Sequence, residues 1–190
     1  EGSIKYRLTR ALENRVVAKA DAVFTICNGL RDDLVSRGHD GDKIALSPNG
    51  VDLTLFGHPP ARDETLAASI GIGSGPVIGF IGRLTRDKGV IELFEAFQRL
   101  LPRFPSLHLL LVGEFEQGDS LPQSLIRQLQ AHRQVVLAGS VADTAVYYGL
   151  IDVVAFPSYR EGFPNVPLEA HFHMDFGLGI SNTIVAVSEG

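Results

Sequence analysis

"PVIGFIGRLTRDKGVIELFEAFQRLLPRFPSLHLLLVG", residues 76–113, holds two short runs that are apolar at nearly every position, "PVIGFIG" and "LHLLLVG". Between them lies a segment with apolar residues at helical spacing, predicting a helix from about Lys88 to Leu101. A strand with one wet face alternates polar and apolar residues, whereas an unbroken apolar strand is covered on both faces. Two such strands joined by an amphipathic helix make the repeating unit of a parallel sheet, because a parallel connection must cross over the sheet.

Outward from this unit the pattern continues. Toward the C-terminus come a helix from about Leu121 to His132, the strand "VVLAG", a helix around "TAVYYGL" and the strand "DVVAF". The expected fold class is therefore α/β, a doubly wound, Rossmann-like parallel sheet whose ligands bind beyond the carboxyl ends of the strands. Toward the N-terminus, the adjacent prolines of "GHPPA" (57–61) cannot continue a helix or join a central ladder, so a connection is placed there. Earlier still, Leu8, Ala11, Leu12, Val16 and Ala20 predict a helix from Tyr6 to Ala20, followed by the strand "AVFTI". Asn28 is the expected N-cap of the next helix and Gly38 its stop, and "KIALSPNGVD" reads as a short strand and turn. Two domains are expected, residues 1–50 and residues 51–190.

Composition narrows the function. The chain has 190 residues, of which 45% are hydrophobic and 21% charged, the range of ordinary globular proteins. Its formal net charge of −5 argues against broad nucleic-acid binding, so any anion site must be local. The lone Cys27 provides no disulfide framework and no second thiol for a metal, which fits a small packed side chain in a reducing compartment. No apolar run reaches the roughly 18 residues of a spanning helix. The chain starts "EGS" with no leader pattern and is expected to be a piece of a longer protein.

The residues to read for chemistry are those just after each strand. "GRLTRDKG", after the first strand of the second domain, carries Arg83, Arg86 and Lys88 before a helix whose first N–H groups also favour anions. Taken alone, these cations suit either a phosphate grip or a solvated surface. "GIGSG" (71–75) resembles part of a dinucleotide fingerprint but precedes the strand instead of joining strand to helix, so ordinary loop glycines are expected. After "DVVAF", "PSYREGFP" leads into a helix whose first turn suits Pro164 and Pro167 and which Asn165 is placed to cap. Glu161 then falls in the loop, and Glu169 about one turn into the helix.

"EGFPNVPLEA", with the upstream "GRLTRDKG" and "PNGVD", resembles the donor-binding domain of retaining GT-B glycosyltransferases, the family that includes bacterial mannosyl- and sucrose-forming transferases. The resemblance runs from "ADAVFTICNGLRDDLVSRG" to Ala170. It implies a hexose moved from a nucleotide-diphosphate sugar to a glycan or lipid-linked acceptor with retention, without a bound metal or other cofactor. By this resemblance Glu161 hydrogen-bonds hydroxyls of the donor sugar and Glu169 those of the ribose. Backbone groups of Gly162, Phe163, Pro164, Asn165 and Val166 face the sugar and diphosphate, Arg83 and Lys88 stabilise the leaving diphosphate, and Val141 marks where the backbone meets the base. It also implies polysaccharide or glycolipid synthesis in the bacterial cytoplasm, with peripheral contact at the inner face of the plasma membrane through the N-terminal domain.

Past Ala170 the chain departs from the family pattern: "HFHMDFGLGISNTIVAVSEG" lacks the usual Gly-apolar-Pro turn, with "TIVAV" in place of the closing strand. The first fifty residues resemble only the last elements of the acceptor domain, so the chain alone is expected to be inactive. Three other functions share parts of this pattern. A glycoside hydrolase also uses two carboxylates, but these flank one bond, and the Arg/Lys loop would then have no role. A sugar-nucleotide epimerase lacks its glycine fingerprint here. A nucleotide-binding module without transfer is the alternative of the same fold. His171, His173 and Asp175 are competent metal ligands, but His-x-His spacing suits a strand better than the helix expected at this place.

Overall fold

The computed structural model describes residues 4–56, 60–116, 118, 120–159 and 165–166. By internal contacts it falls into two compact units, dividing between Gly50 and Val51.

The first unit contains α1 (Ile4–Lys19), β1 (Val23–Thr25), α2 (Asn28–Ser36), a 3-10 turn (Gly41–Lys43) and β2 (Ile44–Leu46). β1 and β2 pair in parallel, Val23 opposite Ile44. Asn28 is not the cap of α2: it is the first helical residue, and Cys27, in extended conformation with its carbonyl accepting the Arg31 N–H, holds the cap position without a side-chain bond. Gly38, at φ 88°, ends the segment as its sequence suggests. Arg37, at the end of α2, bonds Asp33 one turn earlier and Glu13 of α1. These two carboxylates raise the affinity of its guanidinium for its proton, and the reciprocal bond holds Asp33 below the usual carboxylate range.

The second unit holds a four-stranded parallel sheet in the order β5-β4-β3-β6, from β3 (Val77–Ile81), β4 (His108–Val112), β5 (Val135–Gly139) and β6 (Val153–Val154). Side chains alternate between two cores. Val77 and Ile81 of β3, with Leu110 and Val112 of β4, face one; Phe80, with Leu109 and Leu111, faces the other. This is why the strands carry no polar alternation: the helices cover both faces. On the second face lies α5 (Val90–Leu100), which buries Val90, Leu93, Phe94 and Phe97, an i, i+3, i+4, i+7 stripe. Beside it α6 (Gln123–Ala131) buries Leu125 and Leu129.

The first face is covered by α3 (Leu53–Phe56), α4 (Glu64–Ser69) and the single-turn α7 (Ala145–Tyr148), through Phe56, Ala67, Ala145 and Tyr148. Neither α3 nor α4 is evident from periodicity, being too short to show it, yet each has a legible start. Asp52 accepts the Thr54 N–H at 2.8 Å, and Asp63 accepts those of Thr65 and Leu66 at 2.9 and 3.0 Å. The Thr54 hydroxyl and N–H together hold Asp52 below its ordinary pKa.

The strand order locates the ligand end. The chain moves outward from β3 to β4 to β5, then returns to place β6 on the other side of β3. The direction of winding therefore reverses between β3 and β6, and open α/β sheets bind ligands beyond the carboxyl ends of their strands, near such a point.

Candidate functional site

At that end of the sheet, the backbone ladder continues past the strands. Gly82 N–H bonds Val112 O at 2.9 Å, Leu84 N–H bonds Glu114 O at 2.8 Å, and Gly113 N–H bonds Gly139 O at 2.8 Å. The loops after β3, β4 and β5 are thus tied into one rim. Gly113 lies at φ 141°, and a Cβ there would stand 1.9 Å from the Gly82 carbonyl oxygen, so a side chain would force these two turns apart.

The rim surrounds a cleft of about 360 Å³ lined by Gly82 and Arg83, by Gly113, Glu114 and Glu116, and by Ser140, Val141 and Thr144, with Ile81 and Val112 at its apolar base. Arg83 and Val141, read from sequence as diphosphate and base positions, therefore share one cleft although 58 residues separate them. The Arg83 side chain is 57% exposed and donates to Glu116 at 3.1 Å. Arg86 does something else: its Nε donates to the Ser120 carbonyl at 3.0 Å, bracing the loop. Glu114, Glu116, Ser140 and Thr144 went unread in the sequence, although the rule that singled out residues after β3 applies equally after β4 and β5.

Lys88 is half-buried and is not among the described residues lining this cleft. Both of its neighbours meet the loop after β6. Asp87 O accepts the Tyr159 N–H at 2.9 Å, and Gly89, left-handed at φ 68°, packs its Cα against the Pro157 carbonyl. Thr85, almost fully buried, donates its hydroxyl to the Asp87 carboxylate and fixes the turn between them. The Tyr159 hydroxyl donates to Glu92 of α5 at 2.6 Å, and that bond to a carboxylate raises its pKa. The segment that enters the "REGFPNVPLEA" stretch is therefore fastened to the loop that carries Lys88.

Asn165 and Val166 are helical, so Asn165 stands within a helical turn instead of ahead of it as a cap. Val166 packs against the first core, and its carbonyl accepts the Tyr148 hydroxyl at 3.3 Å. Glu161, Gly162, Phe163, Pro164 and Glu169 lie outside the described residues, as do His171, His173 and Asp175. Among the described residues no group of three metal-competent side chains comes together, and no helix is long and apolar enough to cross a membrane. Of the glycines of "GIGSG", Gly75 has a packing role: a Cβ there would stand 1.8 Å from the Ser106 carbonyl oxygen.

A Rossmann-like parallel sheet with a cleft beyond the carboxyl ends of its strands defines the class of doubly wound α/β proteins. The likeness to solved structures makes the fold particular. HepE from Anabaena, solved in complex with UDP-glucose, superposes with a TM-score of 0.74 at 22% identity, over 86% of this chain and 46% of that one. The chain belongs to the family described as Glycosyl transferases group 1, whose model matches residues 75–175, and its fold is that of the GT-B glycosyltransferases. A second family model, Glycosyltransferase Family 4, matches residues 1–55. Among curated relatives, the D-inositol 3-phosphate glycosyltransferase of Kineococcus radiotolerans is 33% identical over 170 residues, 83% of this chain and 39% of that protein. The capsular polysaccharide biosynthesis glycosyltransferase CapM of Staphylococcus aureus is 37% identical over 94 residues, 50% of this chain and 25% of that protein. The chain thus spans well under half the length of these relatives.

Proposed function

We propose that this chain supplies the nucleotide-sugar half of a retaining glycosyltransferase that moves a hexose from a nucleoside-diphosphate donor to a glycan or lipid-linked acceptor. The observation that carries this reading is the cleft beyond the carboxyl ends of β3, β4 and β5 that Arg83 and Val141 share, Arg83 standing in the same loop as the Lys88 turn that is bonded to the loop after β6. UDP and UDP-glucose bound to the HepE structures support a nucleotide-sugar ligand.

In the proposed reaction the bond between the anomeric carbon and the diphosphate oxygen breaks, and the acceptor hydroxyl attacks from the face the diphosphate leaves, its proton passing to the departing phosphate oxygen. Arg83 and Lys88 neutralise the charge that builds on the departing oxygen, with N–H groups of Gly162, Phe163, Asn165 and Val166 adding their dipoles. Glu161 orients the sugar and Glu169 the ribose, while the backbone near Val141 meets the base. No metal or organic cofactor enters this scheme. The remainder of the parent protein provides the acceptor side, so the 190-residue chain alone turns over little or no donor. A cytoplasmic setting at the inner face of the membrane belongs to the same proposal.

Calorimetric titration with UDP, GDP and ADP tests the site, and one of the three is expected to bind. Sugar transfer is then assayed after restoring the N-terminal half, with the anomeric configuration of the product read by NMR. Binding without transfer would assign the chain to a nucleotide-binding module instead; failure of all three nucleotides to bind would end the reading, and robust turnover by the chain alone would refute its dependence on the missing half.

A further inference from the structure

The cation assigned to the diphosphate is already engaged. Arg83 Nη1 donates to Glu116 Oε2 at 3.1 Å across the mouth of the cleft, with both side chains about half exposed. The backbone sets this pairing: Leu84 and Phe115, the inward neighbours of the two residues, form a parallel bridge, and Leu84 N–H bonds Glu114 O at 2.8 Å. The loops after β3 and β4 therefore hold the guanidinium and the carboxylate at bonding separation. Glu114 lines the same cleft and adds a second negative charge.

We propose that Glu116 is a positioning residue that competes with the diphosphate for Arg83, holding the guanidinium until the incoming phosphates displace the carboxylate. This rests on reading the cleft as the diphosphate site. An exposed ion pair is weak and screened, so it is easily exchanged. A diphosphate offers several anionic oxygens to the planar fork of an arginine and wins the exchange. The competition still subtracts from affinity, because the Arg83–Glu116 bond must open and the freed carboxylate remains near the ligand's charge.

The test is a titration of the 190-residue chain and of Glu116→Gln with UDP, GDP and ADP. The nucleoside of whichever one binds is titrated in parallel. Glutamine keeps the shape and removes the charge, so the diphosphate is expected to bind roughly two- to fivefold more tightly, the scale of one exposed ion pair, with nucleoside affinity unchanged. In an Arg83→Ala background the same change at position 116 is expected to have a clearly smaller effect, since the competition is then gone. Unchanged or weaker diphosphate binding by Glu116→Gln overturns the competitor role alone, as does equal tightening with and without Arg83. If none of the three nucleotides binds the wild-type chain, the reading of the cleft falls and the competitor role with it.

Discussion

A Cβ on Gly89 would stand 2.1 Å from the carbonyl oxygen of Pro157. The turn before α5 and the loop after β6 are thus in backbone contact beside the switch point between β3 and β6, and only a residue without a side chain permits it. Lys88 precedes this glycine, so the contact holds the turn that carries it against the loop after β6.

Gly89→Ala is expected to destabilise the second unit by at least about 1–3 kcal/mol, the cost of a left-handed backbone for an L residue, before the clash is counted. Urea unfolding followed by circular dichroism measures it. Gly118→Ala, where an added Cβ meets nothing within 4 Å, is the control expected to stay close to wild type. Equal midpoints for the two variants would contradict the close approach.

Tyr159 is expected to ionise above the ordinary tyrosine range, because its hydroxyl donates to the Glu92 carboxylate. A group whose folded pKa is raised contributes stability that is fully present below its unfolded pKa, about 10, and is lost as pH rises through the folded value. Comparison of absorbance titrations near 295 nm should show that Tyr159→Phe loses a tyrosine step lying above the ordinary range. If the step lost lies within the ordinary range, the bond is removed from the account.

Phe97 is fully buried, with the rings of His132 and Phe94 at centroid distances of 5.4 and 6.3 Å. Truncation to alanine leaves a cavity between α5 and the sheet and should cost about 3–5 kcal/mol. A loss below about 1 kcal/mol in denaturant unfolding would mean that α5 is not seated as described.

In the intact parent enzyme, Arg83→Ala and Lys88→Ala are expected each to lower kcat/KM roughly ten- to hundredfold, the scale of a hydrogen bond to a charged group at about 1.5–3 kcal/mol. Glu169→Ala should act mainly on donor affinity and leave kcat closer to wild type. Steady-state kinetics separate the two patterns, and wild-type values in the arginine and lysine variants would defeat their assignment.

The sheet was legible because its strands have no polar face. "VIGFI", "HLLLV" and "VVLAG" announce burial on both sides, and the stripe at 90, 93, 94 and 97 announces the helix that provides part of it. The short helices α3 and α4 were not legible by periodicity, since four and six residues give no repeat; they form where Asp52 and Asp63 satisfy first-turn N–H groups and where Phe56 and Ala67 reach the core. Asn28 misled because its residue type suits a cap, whereas the cap is wherever the backbone turns, and here it turns at Cys27.

Local pattern by itself determined the class of fold and pointed to the end of the sheet where the cleft opens, because hydrophobic periodicity and loop position are properties of neighbouring residues. Tertiary structure alone decided that Arg83 faces Glu116 and shares a cleft with Val141, while Lys88 stands at a turn clasped by the loop after β6. Those relations depend on the strand order β5-β4-β3-β6, which brings residues far apart in the chain to one rim and which no local pattern encodes.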